Sequence, residues 1–288
     1  MNNIAYLNGQ WSKLEETKVN VLDRGFLFGD GIYEVIPVHH SKPVALEAHI
    51  ERLQSGLSAI GIDTDRALLS IRTIIAEIIE RNTNEGCPYQ GLYIQITRGA
   101  DIKRHHSFPQ NVAPTQFAFM FEMASPPLQD RTLVKGLEVG IEQDLRWRRC
   151  HIKSTSLLGN VLHFQEGADG GYSETILYNG NNEVTEASAC NVFVVINGVV
   201  LTAPLDNQLL PGITRQLVIK AIQKHTDIQV EERFFDLETL YSAEEVWLTS
   251  STKEIAPVTC VNGRVIGDGS AGEIWERAII ALSKIKYD

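Results

Sequence analysis

Two hydrophobic periods alternate along the chain, and their order predicts its elements. Period-two alternation predicts strands over 32–38, 92–98 and 116–122, and an opening hairpin in which Asn8-Gly9 joins Ile4–Leu7 to 10–12. Apolar spacing of three and four predicts amphipathic helices over 46–60 and 65–81. Further on, strands are predicted over Leu137–Gln143, 145–153, 174–178, 183–186, Asn191–Ile196, 199–203 and 245–248. Helical spacing covers 157–169, 212–225, 237–243 and 271–284, and Asn197-Gly198 and Asn262-Gly263 read as tight hairpin turns. Neither half shows a βαβ alternation, so the expected fold class is α+β.

Two stretches interrupt the periodicity. Residues 100–111 form a polar loop holding Arg104, His105 and His106. Residues 123–131, with Pro126-Pro127, read as a linker. The expected division is an N-terminal α+β domain over 1–122 and a C-terminal α+β domain over 132–288 that carries Lys153, with a ligand in the cleft between them.

A chain of 288 residues is long enough for two cores, and its net charge of -10 argues against nucleic-acid or anionic-membrane partners. Its start lacks the basic and apolar regions of a signal peptide, and no apolar run reaches membrane-spanning length. Cys87, Cys150, Cys190 and Cys260 fit no zinc or CxxC spacing, so reduced thiols in the cytoplasm are expected and no metal site is. Cys190 reads as a small buried filler. Against this acidic background Arg and His gather in a few places, as a small-anion site requires.

The densest gathering is Asp144-Leu-Arg-Trp-Arg-Arg-Cys-His-Ile-Lys-Ser154. Read as a strand, it puts Trp147, Arg149, His151 and Lys153 on one face. A lysine crowded by cations and partly desolvated is expected to titrate low and to attack carbonyls as a neutral amine. Two other segments suit a phosphate. Pro211-Gly-Ile-Thr-Arg-Gln leads into a helix with Ile213 and Thr214 in its first turn, and Thr249-Ser-Ser-Thr-Lys253 offers hydroxyls from Ser250 and Ser251 after a strand. A Schiff-base lysine beside a phosphate site points to a phosphorylated aldehyde, pyridoxal 5'-phosphate.

The ordered blocks Asp23-Arg-Gly-x-x-Phe-Gly-Asp-Gly-x-Tyr-Glu-Val35, His49-Ile-x-Arg-Leu53, Gln95-x-Thr-Arg-Gly99, Asp144-Leu-Arg-Trp-x-Arg-Cys-x-Ile-Lys-Ser154, Val184-Thr-Glu-x-Ser188, Gly212-Ile-Thr-Arg215 and Thr249-Ser-x-Thr252 resemble the fold-type IV pyridoxal-phosphate enzymes nearly end to end. Within that group the chain is most similar to the bacterial D-amino acid aminotransferases. The resemblance implies a homodimer with sites completed across subunits, Lys153 as Schiff base and proton shuttle, and Glu186 paired with the pyridine nitrogen. It also implies that Arg52, Ile213, Thr214, Ser250 and Ser251 hold the phosphate.

The resemblance further implies that Arg104 and an imidazole two residues on, matching His106, work with Tyr33 to trap the α-carboxylate of a D-amino acid such as D-alanine, with 2-oxoglutarate or pyruvate as acceptor. His105 stays open as the working imidazole. Phe26 in place of tyrosine, Ala189 and Cys190 in place of serines, and a loop one residue longer before Arg104 depart from the pattern. Branched-chain L-amino acid or (R)-amine transamination, and aminodeoxychorismate lyase chemistry, are the alternatives on the same fold.

Overall fold

The computed structural model describes residues 3–84 and 86–287. Their contacts gather into two compact units. One runs up to Ser125 and also takes in Ile152–Leu157; the other holds Pro126–His151 and the chain from Leu158 on.

The first unit begins with the hairpin of β1 (Ile4–Leu7) and β2 (Gln10–Lys13), turned by Asn8 at φ 49° and Gly9 at φ 88°. There follow α1 (Arg24–Phe28), β3 (Gly31–His39), β4 (Lys42–Pro43), α2 (Leu46–Ala59), α3 (Thr64–Ala67), α4 (Ile71–Asn82), β5 (Tyr89–Thr97) and β6 (Thr115–Glu122). The strands form an antiparallel sheet in the order β2-β1-β6-β5-β3-β4. Leu53 and Leu57 of α2 and Ile75 and Ile78 of α4 pack with Ile36, Leu92 and Ile94 of the sheet. Strand parity places Glu34 with Ile32 and Ile36, on the face opposite Tyr33. The helix predicted over 65–81 is split, because Ser70 takes a left-handed φ of 61° that no helix interior accommodates.

The second unit contains β7 (Leu137–Gln143), α5 (Leu158–Asp169), β8 (Thr175–Tyr178), β9 (Val184–Ala187), β10 (Asn191–Ile196), β11 (Val199–Thr202), α6 (Ile213–His225), β12 (Val230–Glu232), α7 (Leu237–Ser242), β13 (Glu245–Ser250), β14 (Glu254–Val261), β15 (Arg264–Val265) and α8 (Glu273–Ser283). The sheet runs β12-β11-β10-β13-β14-β7-β8-β9, with β15 on β14. The overall class is α+β. Two crossovers nonetheless escape the sequence pattern: β7-α5-β8 and β11-α6-β12 each join neighbouring parallel strands through a helix. Strand direction is a matter of long-range pairing, so period alone does not show the unit.

Central strands are buried on both faces, which is why they read as continuous apolar runs. In β10, Val192 and Val194 join Leu201 and Leu248, while Phe193 and Val195 join Trp247, Trp275 and Ile279 on the other side. Phe193 is fully buried and stacks near Trp247 at 6.2 Å. Phe193→Ala is expected to cost about 3–5 kcal/mol of stability, read as a lower urea midpoint with an unchanged slope.

Candidate active site

The lysine-bearing segment is not a strand. Its backbone amides are taken up singly: Leu145 N–H donates to His163 Nε2 (3.2 Å), Arg146 N–H to Asp144 Oδ1 (2.9 Å) and Cys150 N–H to the Asn207 carbonyl (2.9 Å). Two side-chain acceptors and one distant carbonyl take these main-chain donors and break the ladder that alternation predicts. The cation crowd also disperses, since Arg148, Arg149 and His151 are exposed and Arg146 turns inward.

Lys153 itself belongs to the first unit, not to the C-terminal half expected to carry it. Tyr33 N–H donates to the Lys153 carbonyl (3.1 Å), Ser154 bridges Ile32, and Thr155 N–H donates to the Gly31 carbonyl (2.9 Å). These ties hold the half-buried lysine beside β3, with Nζ 4.2 Å from the centre of the Tyr33 ring. Tyr33 in turn stacks on Tyr93 at 5.7 Å.

On the helix side of β3, Glu34 is almost fully buried. Arg52 grips it through Nε to Oε1 and Nη2 to Oε2, both 2.7 Å, and His49 Nδ1 lies 2.7 Å from Oε2. Burial alone would push the Glu34 carboxyl up, but the charge of Arg52 and hydrogen bonds from Arg52 and His49 outweigh it and hold the group at about 2. Burial, with the charges of Arg52 and Lys153, holds His49 below its usual range despite Glu34. The imidazole is therefore neutral, with Nδ1–H donating to the carboxylate.

In the second unit, Glu186 ends up buried on β9. Arg146 Nη1 donates to its Oε1 (2.7 Å), the Leu210 amide to Oε2 (3.0 Å), and Asp144 holds Arg146 through Nε and Nη2. Burial nevertheless dominates and raises the Glu186 carboxyl above its usual range. Asn191 Nδ2 lies 3.5 Å from the same carboxylate and donates to the Leu210 carbonyl (2.9 Å). A Cβ on Gly212 would stand 2.0 Å from Asn191 Oδ1, so only glycine lets the start of α6 approach β10 this closely. Gly212 is the N-cap, so Ile213 and Thr214 stand in the first turn of α6, the positive end of the helix dipole. Asn191 also pairs across the sheet with Thr249, next to Ser250. The Thr249 hydroxyl is buried with no partner among the described residues. Ser250 ends β13 and Ser251 opens the tight turn into β14, and the Ser250 hydroxyl accepts from Lys253 N–H (3.2 Å).

Arg104 and His106 come together over one ring. The Arg104 guanidinium is 5.1 Å from the centre of Phe28, and the His106 ring is 5.4 Å from it. His105 contributes its carbonyl, to Arg24. No hydrogen bond or ring contact among the described residues joins Tyr33 to Arg104 or His106.

A family model for amino-transferase class IV matches residues 31–261, spanning this lysine segment, Glu186 and the α6 start. The chain belongs to the class IV aminotransferases. It is 36% identical over 271 residues to the D-alanine aminotransferase of Staphylococcus haemolyticus, covering 94% of this chain and 93% of that one. Its fold is similar to the branched-chain amino acid aminotransferase of Escherichia coli, with TM-score 0.88 at 23% identity over 99% of this chain and 95% of that one. It is also similar to the branched-chain aminotransferase of the archaeon Thermoproteus uzoniensis solved with norvaline, with TM-score 0.83 at 24% identity, over 99% and 96%.

Sequence reasoning about this aminotransferase passed over Glu34, His49, Asp144, Arg146 and Asn191. All five lie inside or beside the quoted family blocks, but local pattern does not show which distant partner a buried polar residue meets. Of the departures, Phe26 is 70% exposed, whereas Cys190 is buried against Glu174, Sγ to Oε2 3.5 Å. Burial and the Glu174 charge push its thiol up to about 12, which keeps it protonated and inert at neutral pH.

Because the folded chain holds Glu34 ionised down to about pH 2, against 4.5 ordinarily, its contribution is complete above about 4.5 and is lost as pH falls toward 2. Glu34→Gln is therefore expected to flatten acid unfolding in that window. The wild-type and variant stabilities should converge by on the order of 3 kcal/mol between pH 5 and 2, measured by urea titration.

Proposed function

We propose that the chain is a pyridoxal 5'-phosphate-dependent D-amino acid aminotransferase, moving the amino group of a substrate such as D-alanine to 2-oxoglutarate or pyruvate. The observation that carries this reading is Lys153: its segment is tied to β3 by two main-chain hydrogen bonds that frame the Ile32–Ser154 bridge, and its amine lies 4.2 Å from the centre of the Tyr33 ring. Relatives called D-alanine aminotransferases, at 36% identity over nearly the full chain, support the D-amino acid assignment.

The donor sets fit the cofactor. Glu186 is a buried carboxylate whose raised titration calls for one more positive neighbour, as a pyridinium nitrogen would be. The start of α6 at Ile213 and Thr214, the hydroxyls of Ser250 and Ser251, and the guanidinium of Arg52 are suited to a phosphate. When bound, the cofactor supplies the aldehyde that receives the amino group and a ring that accepts electrons. Lys153 is then the attachment point and the base that carries the proton between the substrate Cα and C4′. Glu186, held in place by Arg146, keeps the proton on the ring nitrogen.

Arg104, His106 and Tyr33 bind the substrate α-carboxylate on this reading. Within one chain Tyr33 packs on Tyr93 while Arg104 and His106 pack on Phe28, which supports a homodimer whose second copy brings the two parts together. Free Cys87, Cys150, Cys190 and Cys260 suit a reducing cytoplasm. No helix among the described residues is long and apolar enough to cross a membrane.

The half-reaction tests this. Purified protein with its cofactor is expected to lose its visible band with D-alanine and not with L-leucine, releasing pyruvate in proportion to enzyme. Lys153→Ala is expected to lower turnover by at least about 10²-fold. Bleaching by L-leucine alone would assign a branched-chain L-enzyme instead. Pyruvate release from aminodeoxychorismate with no oxo-acid acceptor would assign a lyase.

A further inference from the structure

The segment Asp23-Arg-Gly-Phe-Leu-Phe-Gly-Asp-Gly31 is a prominent motif of the sequence, yet none of its side chains has a part in the chemistry above. Its structure is a fixed platform. Asp23 accepts from Gly25 N–H (2.8 Å) and the Thr115 hydroxyl (2.6 Å), closing the start of α1. Gly29 ends the helix at φ 66°, where a Cβ would meet Ser156 Oγ at 2.4 Å.

Arg24 is 4% exposed and directs its guanidinium at one loop. Nε donates to Asp30 Oδ2 (2.7 Å), Nη1 to the carbonyls of His105 and Ser107, and Nη2 to the carbonyl of His106 (3.1 Å). Three consecutive carbonyls of an otherwise irregular loop thus converge on a single buried cation. Asp30 is shared with Arg98, which also donates to the carbonyls of Ile60 (2.7 Å) and Gly61 (3.0 Å) and lies 3.5 Å from the centre of the Phe108 ring. Four residues after Arg24, one helical turn on, Phe28 lies under three cationic or imidazole groups: Arg24 at 4.8 Å, Arg104 at 5.1 Å and His106 at 5.4 Å from its centroid.

We propose that Arg24 and Phe28 are positioning residues that set the enantiomer preference: Arg24 fixes the backbone of residues 105–107, and the Phe28 ring aims Arg104 and His106 at the substrate carboxylate. A long loop without regular structure needs such anchors to hold two exposed side chains to a common target. The arginine fork supplies several charge-assisted donors in one plane, and the ring face attracts cations without competing for the carboxylate. Arg24 itself touches no substrate. The inference rests on the reading of Arg104 and His106 as the carboxylate trap.

The test uses the full-length holoenzyme with Phe28→Leu, Arg24→Lys and, as a reference, Arg104→Ala. Phe28→Leu keeps apolar bulk and removes the ring face, so it serves even where Arg24→Lys fails to fold. It is expected to raise the KM for D-alanine about tenfold with kcat nearly unchanged, and to lower the ratio of kcat/KM for D-alanine over L-alanine by a similar factor. A purely structural defect would lower both enantiomers together. Hydrogen exchange of amides 104–108 is expected to quicken in Arg24→Lys while the cofactor absorbance stays as in the wild type. A wild-type enantiomer ratio in Phe28→Leu, with Arg104→Ala shifting it, would overturn this inference and leave the trap standing. Unchanged exchange in a folded Arg24→Lys would overturn the part given to Arg24. An unaltered D-alanine KM in Arg104→Ala would remove the trap and this inference with it.

Discussion

Taking a charged side chain out of water costs several kcal/mol unless an opposite charge meets it with good geometry. Three such arrangements of a carboxylate and an arginine lie in the motif blocks. Glu34 is gripped by Arg52, Asp30 by Arg24 and Arg98, and Glu186 by Arg146, which Asp144 holds in turn. Replacing such a pair by apolar residues would often stabilise a protein, so stability alone does not account for three of them. What each pair adds is direction. A guanidinium closed onto a carboxylate by two bonds, as in Arg52–Glu34, Arg98–Asp30 and Arg146–Asp144, has one orientation, and whatever else it touches is fixed too.

The three pairs differ in what they leave over for other groups. Arg146 leaves Glu186 in a position where burial still dominates and its carboxyl titrates high. Arg52 and His49 leave Glu34 firmly ionised, so that its charge balances the cations on that side of β3. Asp30 holds both of its arginines, and their remaining donors go to backbone carbonyls in the 105–107 and 60–61 turns. A carboxylate in need of a cation, a fixed counter-charge and a rigid loop anchor are made from the same parts by changing burial and the number of partners.

Much of the fold was legible in the sequence. The Asn8-Gly9 hairpin, β5, β6, β7, β10 and the long helices follow from period and turn chemistry, which are local. The failures share a cause. The strand expected over 145–153 is absent because His163, Asp144 and Asn207, two of them distant in sequence, take its amides one by one. The helix over 65–81 breaks at a serine with positive φ, which no apolar spacing announces. In the candidate site, Lys153, Arg52, Glu186, Ile213 and Thr214 were singled out through turn chemistry and motif blocks. Glu34 and Arg146 were not, although they lie in the same blocks, because an inward-facing charge looks like a solvated one until its partner is located.

Lys153 illustrates how far local pattern can mislead about what holds a residue in place. The cationic run before it suggested a lysine discharged by its sequence neighbours, but those neighbours are in solvent or paired with Asp144 and Glu186. The lysine is positioned instead by main-chain bonds to Gly31 and Tyr33, more than a hundred residues away along the chain. On the proposed reading this has a consequence for stereochemistry. A base fixed so rigidly to β3 moves protons on one face only, so it cannot itself choose between enantiomers. That choice passes to whichever groups pin the carboxylate, and through them to the α1 platform on which Arg104 and His106 rest.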